Sequence, residues 1–437
     1  MLEVRRVSAD FKYLEIYNRY KDLILSGKMK SGARLPSIRS CAEENSVSRT
    51  TVQTAYDCLA ADGCIIAKPQ SGYFAADFAL SRTAGTVRTS TAEIKPKYDL
   101  ASERADSDSF DFSLWQRYIK SALRNAERLT TYGEPQGEYD LRCAVCDYLQ
   151  NSRSAVCSPE SIVIGAGSQS LLSLIMPLLR DRRTVHFTNS GFSQGKTVFT
   201  DNGFTLTERN DADICYVTPS RLSRKGDVMT PKDRFSFAKA MRDNHSMIIE
   251  DDYGSELSAP IRPTPCIQGI CGGENVIYIS TFSKLLVPSI RISFMVLPPD
   301  ILEKYLERRS FYNQTASKIE QIALCKFIQD GHLNSQIRKI RRAYAEKSDN
   351  VKHMICDILG SLASVYSEDD GRYLRLTLKT DMSAKSVAAA AKAKSLLISP
   401  IADSDTASFI ISYYGVPDSE LKTAFEILKD IIFAGEK

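Results

Sequence analysis

The sequence lacks the features of a membrane or exported protein. No uninterrupted apolar run of about 18 residues occurs in its 437 positions, so no bilayer-spanning helix is expected. Met1 to Asp10 interleaves Glu3, Arg5, Arg6 and Asp10 with short apolar residues, which excludes the continuous apolar core of a signal peptide. A cytoplasmic protein is expected. Charge of one sign is scarce as well: 57 Lys and Arg against 53 Asp and Glu leave +4, too little for a wholesale polyanion binder. Any nucleic-acid contact must therefore come from where charge is placed. Eleven cysteines are expected to be free thiols, and only Cys143 and Cys146 form a C-x-x-C, with no second pair to complete a zinc site. Because Leu141, Val145 and Tyr148 repeat around that pair at helical period, both read as buried helix cysteines, and no metal is expected. No internal repeat of 20 to 50 residues is present.

What remains has ordinary globular proportions, 43% hydrophobic and 25% charged, and a length suited to two or three domains. Residues 11 to 77 read as three helices and a hairpin. Tyr13, Ile16, Tyr17, Tyr20, Leu23 and Ile24 recur at helical period, and Gly27 follows as a stop. Ser37 and Ser48 are placed to cap the second and third helices, and the short turn Asn45-Ser46-Val47 between them makes a helix-turn-helix. Cys64 to Ala67 and Gly72 to Ala75 then flank a Pro-containing turn, as a wing would.

Between Met1 and Asp77 eleven basic side chains meet nine acidic ones, so position carries the argument. Arg34, Ser37, Arg39, Ser48, Arg49, Thr50 and Thr51 gather at two helix N-termini, where free amides and side chains jointly suit phosphates and a helix start can enter the major groove. The bland alternative makes them solvated caps of an interaction module. The ordered set Gly32 to Arg39, Val47 to Val52, Ala55-Tyr56, Gly63 and Ser71 to Phe74 resembles the GntR-type winged helix-turn-helix nearly end to end. The resemblance implies binding to a double-stranded DNA operator through Arg34, Arg39, Arg49 and Thr51, with Gly72 at the wing tip.

Residues 78 to 97, rich in Ser, Thr, Ala and basic side chains, read as a linker between domains at 1–77 and 98–437. Beyond it, helical patterns alternate with short apolar runs at Ser161 to Ile164, Ile214 to Val217, Ser246 to Ile249 and Val276 to Ile279, which argues an α/β fold with a mainly parallel sheet. Three clusters there carry chemistry. Ser280 to Lys284 follows a strand, with Arg291 seven residues on: an amine, hydroxyls and a guanidinium of the kind an aldehyde-bearing phosphate cofactor needs. Glu250-Asp251-Asp252-Tyr253 ends another strand, and such carboxylates either protonate a ring nitrogen, begin a solvated loop or bind magnesium. Gly165 to Ser170 is a glycine-rich turn into a helix, which receives phosphate or merely packs closely.

In order, Tyr132 to Gly137 with Leu141-Arg142, Gly167 to Gln169, Val217 to Ser220, Glu250 to Tyr253 and Ser280 to Lys284 resemble fold-type I aminotransferases. Behind a GntR-type domain they look like the MocR subfamily of bacterial transcriptional regulators. The resemblance implies pyridoxal 5′-phosphate on Lys284, Asp251 at the pyridine nitrogen, Tyr253 at the ring hydroxyl, Phe192 stacked on the ring, and Ser168, Gln169, Thr281, Ser283 and Arg291 around the phosphate. It also implies a homodimer.

Three departures shape the functional reading. Pro219 to Gly226 reads Pro-Ser-Arg-Leu-Ser-Arg-Lys-Gly where the family has Pro-Ser-His-Gln-Phe-Pro-x-Gly, without the Asn that aminotransferases place near Ser223. Thr188 to Phe192 replaces Glu-x-Pro-Gly-Tyr, and Ala407 to Gly415 has no Arg to hold a substrate carboxylate. The expectation is a pyridoxal-phosphate-dependent regulator that senses a small amine, an amino acid or the cofactor, with negligible turnover. The alternatives are a working aminotransferase with a DNA-binding domain and a cofactor-free dimerising domain, the latter disfavoured by Lys284, Asp251 and Arg291.

Overall fold

The computed structural model describes residues 3–69, 71–76, 96–102, 109–189, 192–209, 211–220, 228–257, 264–367, 373–401 and 406–435. The chain divides into two compact units, Met1–Glu93 and Ile94–Lys437. Most of the expected linker, residues 78–95, lies outside the described residues.

In the first unit, helices Glu3–Leu25, Ile38–Glu44 and Arg49–Ala61 precede the antiparallel strands Ile65–Lys68 and Gly72–Ala75. The first helix starts well before the expected residue 11, because the mixed residues 3–10 are helix-compatible even without an apolar stripe. Ile16, Tyr20 and Ile24 on that helix pack with Val52, Ala55, Tyr56 and Leu59 of the third in one small core. Tyr20, Tyr56 and Tyr73 meet there edge to face, and the buried Tyr56 hydroxyl donates to Pro36 O at 3.0 Å.

The second unit is built on a seven-stranded sheet. Its strand order is Ile162–Gly165, Ser293–Val296, Val276–Thr281, Met247–Asp251, Ile214–Val217, Thr184–Phe187 and Thr205–Leu206. All pairs are parallel except those of Ser293–Val296, which runs antiparallel to both neighbours. Residue parity divides the two cores: Tyr278, Phe294 and Ile164 pack against one layer of helices, and Ile277, Ile279, Met295 and Val163 against the other. Burial on both faces explains why these strands read as continuous apolar runs.

A second, antiparallel sheet joins Ala363–Ser367, Leu374–Leu378, Ala407–Ile411 and Ser399–Pro400, with helices His332–Leu359 and Asp418–Gly435 contributing to its core. The strand Ala407–Ile411 ends before Tyr414. Cys146 is buried on the helix Tyr139–Arg153, but Cys143 is only half-buried, which corrects the reading of both as core residues. Among the described residues, no group of three or more metal-ligating side chains forms, and no helix is long and apolar enough to cross a membrane.

Candidate functional site

Two groups of residues carry the chemistry, one in each unit. In the first, Ser37 caps its helix by accepting from Ser40 N at 3.1 Å, and Ser48 caps the next by accepting from Thr51 N at 3.1 Å. The Ser48 and Thr51 hydroxyls also meet at 2.8 Å. Both capping hydroxyls are thus engaged with backbone, while Arg39, Arg49 and Thr50 stand exposed and Thr51 is half-buried. Arg39 pairs with Glu43, one turn along.

Arg34 reaches the hairpin instead. Its backbone bridges Phe74, and Leu35 N donates to Tyr73 O at 2.9 Å, so the segment lies along the hairpin as a short third strand. A Cβ on Gly72 would come within 3.4 Å of Arg34 Nε, and Gly72 has φ +102, so glycine serves both the turn and the guanidinium laid across it. Lys68, packed 4.8 Å from the Phe74 ring, adds a cation to the same hairpin. A lone basic residue beside a turn carries no sequence pattern, so the place of Lys68 is evident only in the fold.

In the second unit a cavity of about 540 Å3 lies where the parallel strands end. It is lined by all nine residues expected around a cofactor: Lys284, Asp251, Tyr253, Phe192, Ser168, Gln169, Thr281, Ser283 and Arg291. Asn189, Gln194 and Thr218 also line it; Asn189 and Thr218 fall within the segments Thr188 to Phe192 and Val217 to Ser220, while Gln194 belongs to no motif. Arg221, Ser223 and Arg224 of the altered loop lie outside the described residues.

Strand parity selects the acid. Met247, Ile249 and Asp251 share one face of their strand, so of three consecutive carboxylates only Asp251 lines the cavity. Its Oδ2 accepts from the buried Tyr216 hydroxyl at 2.6 Å, while Oδ1 is buried without a hydrogen-bond partner. Burial pushes its pKa up to about 7, with the Tyr216 bond opposing the rise and the Asp252 charge adding to it.

The neighbouring acids serve the framework. Glu250 accepts from Ile267 N and Gln268 N, each at 2.8 Å, and Asp252 accepts from Arg153 Nε at 2.8 Å, Tyr278 at 2.9 Å and Ser220 at 3.1 Å. A solvated loop is thereby excluded for all three carboxylates, which are buried.

The opposite side of the cavity suits an anion. Helix Ser168–Ile175 begins at Gly167 with no side-chain cap, leaving its first amides available. A Cβ at Gly167 would fall 2.5 Å from Arg291 Nη2, so this glycine lets the guanidinium lie against the helix start. Ser283 N donates to Thr281 Oγ1 at 3.2 Å, and Ser283 Oγ donates to Ile290 O at 3.0 Å, which fixes the turn carrying Lys284. Phe192 lies against Gly195, where any Cβ would collide with its ring.

A winged helix-turn-helix followed by an aminotransferase-like domain defines a class of two-part DNA-binding regulators, and the comparisons with known proteins agree. The family described as "Bacterial regulatory proteins, gntR family" matches residues 12–74, and "Aminotransferase class I and II" matches residues 97–224. The uncharacterized HTH-type transcriptional regulator YdeL of Bacillus subtilis strain 168 is 32% identical over 443 residues, covering 95% of this chain and 96% of that protein. The "Probable rhizopine catabolism regulatory protein MocR" of Rhizobium meliloti is 30% identical over 370 residues, covering 76% and 75%. The crystal structure of a multiple substrate aminotransferase from Thermococcus profundus superposes with a TM-score of 0.66 at 19% identity, over 79% of this chain and 93% of that one. The chain belongs to the MocR-like, GntR-type family of HTH transcriptional regulators. Its larger unit has the fold-type I aminotransferase fold.

Proposed function

We propose that this regulator binds pyridoxal 5′-phosphate in the cavity at Lys284 and reads a double-stranded operator through residues 1–77, with 98–437 as the effector domain. A small amine, an amino acid or the cofactor itself is the signal. The observation that carries the reading is the buried Asp251 Oδ1, an acceptor without a partner in a cavity that also holds a lysine, an arginine and an uncapped helix start. A ring-nitrogen donor would satisfy that oxygen, and a phosphate would satisfy the amides beside Arg291. When bound, the cofactor supplies an aldehyde that condenses reversibly with primary amines and a ring that withdraws electrons.

The remaining roles follow from placement. Lys284 offers the amine, Asp251 holds a proton at the ring nitrogen, Tyr253 bonds the ring hydroxyl, and Phe192 covers the ring face. Ser168, Gln169, Thr281, Ser283 and Arg291 hold the phosphate. Arg34, Arg39, Arg49, Thr50, Thr51 and Gly72 face DNA, with Ser37 and Ser48 setting the helix starts. Tyr132 and Phe311 stand fully or largely exposed, aromatic surface that a second copy of the chain would cover, so the protein acts as a homodimer in the cytoplasm. Without an arginine in Ala407 to Gly415, overall transamination is negligible, because a buried carboxylate needs a partner.

The test is spectroscopic. The purified protein given pyridoxal phosphate should absorb as a bound, not a free, aldehyde, and borohydride should fix the cofactor to Lys284. Amines should then shift that spectrum and change operator affinity together, since an effector acts only through different affinities for two states. Sustained turnover with a keto-acid acceptor at about 1 per second or faster would favour the enzyme reading instead.

A further inference from the structure

We propose that Tyr216 is the positioning residue of this cavity: its hydroxyl fixes one oxygen of Asp251 and its ring braces Phe192, so one side chain sets both the acid and the aromatic. The inference rests on the cofactor reading above and deepens it.

Tyr216 lies in the strand Ile214–Val217, on the face directed to the same core as Ile249 and Ile279. In the sheet register it stands opposite Ile249 on one side and Phe187 on the other. Its hydroxyl reaches Asp251, two residues beyond its opposite number, at 2.6 Å. The ring cannot turn away: it stacks on Phe187 with centroids 4.7 Å apart, and Phe192 leans on it at 5.7 Å. Burial and the neighbouring acid hold the phenol pKa well above its usual value, so the group remains a donor at every physiological pH.

The consequence for Asp251 is geometric first. With Oδ2 taken, only Oδ1 is left to meet a donor from the cavity. A carboxylate whose sole duty was structural would have both oxygens paired, as Asp252 and Glu250 do in the same strand end. The Tyr216 bond also favours the ionised acid against burial and against the adjacent Asp252; Tyr253, Lys284 and Arg291 are the other charged or titratable groups that share the cavity. An ionised Asp251 keeps a proton on a ring nitrogen, whereas a protonated one would leave that nitrogen neutral.

The test compares the native protein, Tyr216→Phe and Asp251→Asn in three measurements: melting without cofactor, the dissociation constant for pyridoxal phosphate, and the 15N signal of cofactor labelled at the ring nitrogen. Tyr216→Phe should bind about tenfold more weakly, the loss of one charge-assisted hydrogen bond. Its 15N signal should move from a protonated toward a neutral ring, in the direction that Asp251→Asn moves it further. A native-like 15N signal in Tyr216→Phe overturns the proposal, whether melting is unchanged or lowered, since a merely structural tyrosine would alter stability alone. If the native protein fails to bind the cofactor, the reading of the cavity itself falls. Binding by the native protein with no change in Tyr216→Phe removes only the role of Tyr216.

Discussion

The helix-turn-helix surface and the cavity of the larger unit differ most in what surrounds their charges. Arg39 and Glu43 pair at 3.1 Å with 74% and 68% of their side chains exposed, whereas Arg153 and Asp252 pair with 6% and 0% exposed. Water screens the first pair and offers each partner an alternative, so such a pair is worth about 0–1 kcal/mol. The second pair is shut off from water, and removing Arg153 would leave the buried Asp252 charge to the neutral Tyr278 and Ser220 hydroxyls. One face can therefore change its residues without endangering the fold; behind the cavity, function and stability rest on the same groups.

That contrast can be broken or sharpened by substitution. The largest effect expected is all-or-none: Lys284→Ala should abolish borohydride capture of pyridoxal phosphate, and equal capture by the variant would displace the site. Next, Arg153→Ala should destabilise the protein by about 3–5 kcal/mol in urea denaturation, while Arg39→Ala changes stability by less than about 0.5 kcal/mol. Similar losses from both would erase the distinction. Arg49→Ala should weaken operator binding by about 1–3 kcal/mol if it reads a base, or lower the salt slope by about one if it holds a phosphate, with unchanged melting.

A pH experiment probes the cavity alone. Asp251 has a pKa of about 7 when folded and the ordinary 3.8 when unfolded, so between those values the folded chain holds a proton that the unfolded chain has released. Its contribution is complete below about pH 4 and is lost as pH rises through about 7. Without cofactor, the stability difference between native protein and Asp251→Asn should therefore turn against the native protein across that window; a flat difference would show that Asp251 stays ionised. A small effect is expected at the helix Arg49–Ala61, where Ser48→Ala removes one cap for about 1 kcal/mol of stability.

What the sequence made legible divides along the same line. The caps at Ser37 and Ser48, the turn between the helices they open and the glycine at 72 are local signals, and each is found where local chemistry put it. The strand ends carrying Asp251 and Lys284 were legible as apolar runs followed by polar clusters. Tyr216 with Asp251, and Arg153 with Asp252, were not: their partners are 35 and 99 residues apart, and periodicity gives the face of a strand without naming its neighbour. For the same reason nothing in the chain order says that the strand Leu374–Leu378 belongs to a separate antiparallel sheet.

The one antiparallel strand in the large sheet has a kinetic consequence. Because Ser293–Val296 turns back along Val276–Thr281, with Ser293 opposite Thr281, Lys284 and Arg291 both sit in a single short connection. Asp251 joins them only through a parallel crossover, which requires longer chain closure. The lysine and arginine side of the cavity is thus assembled from near neighbours and the acid side from distant ones. On refolding, the first should form faster than the second.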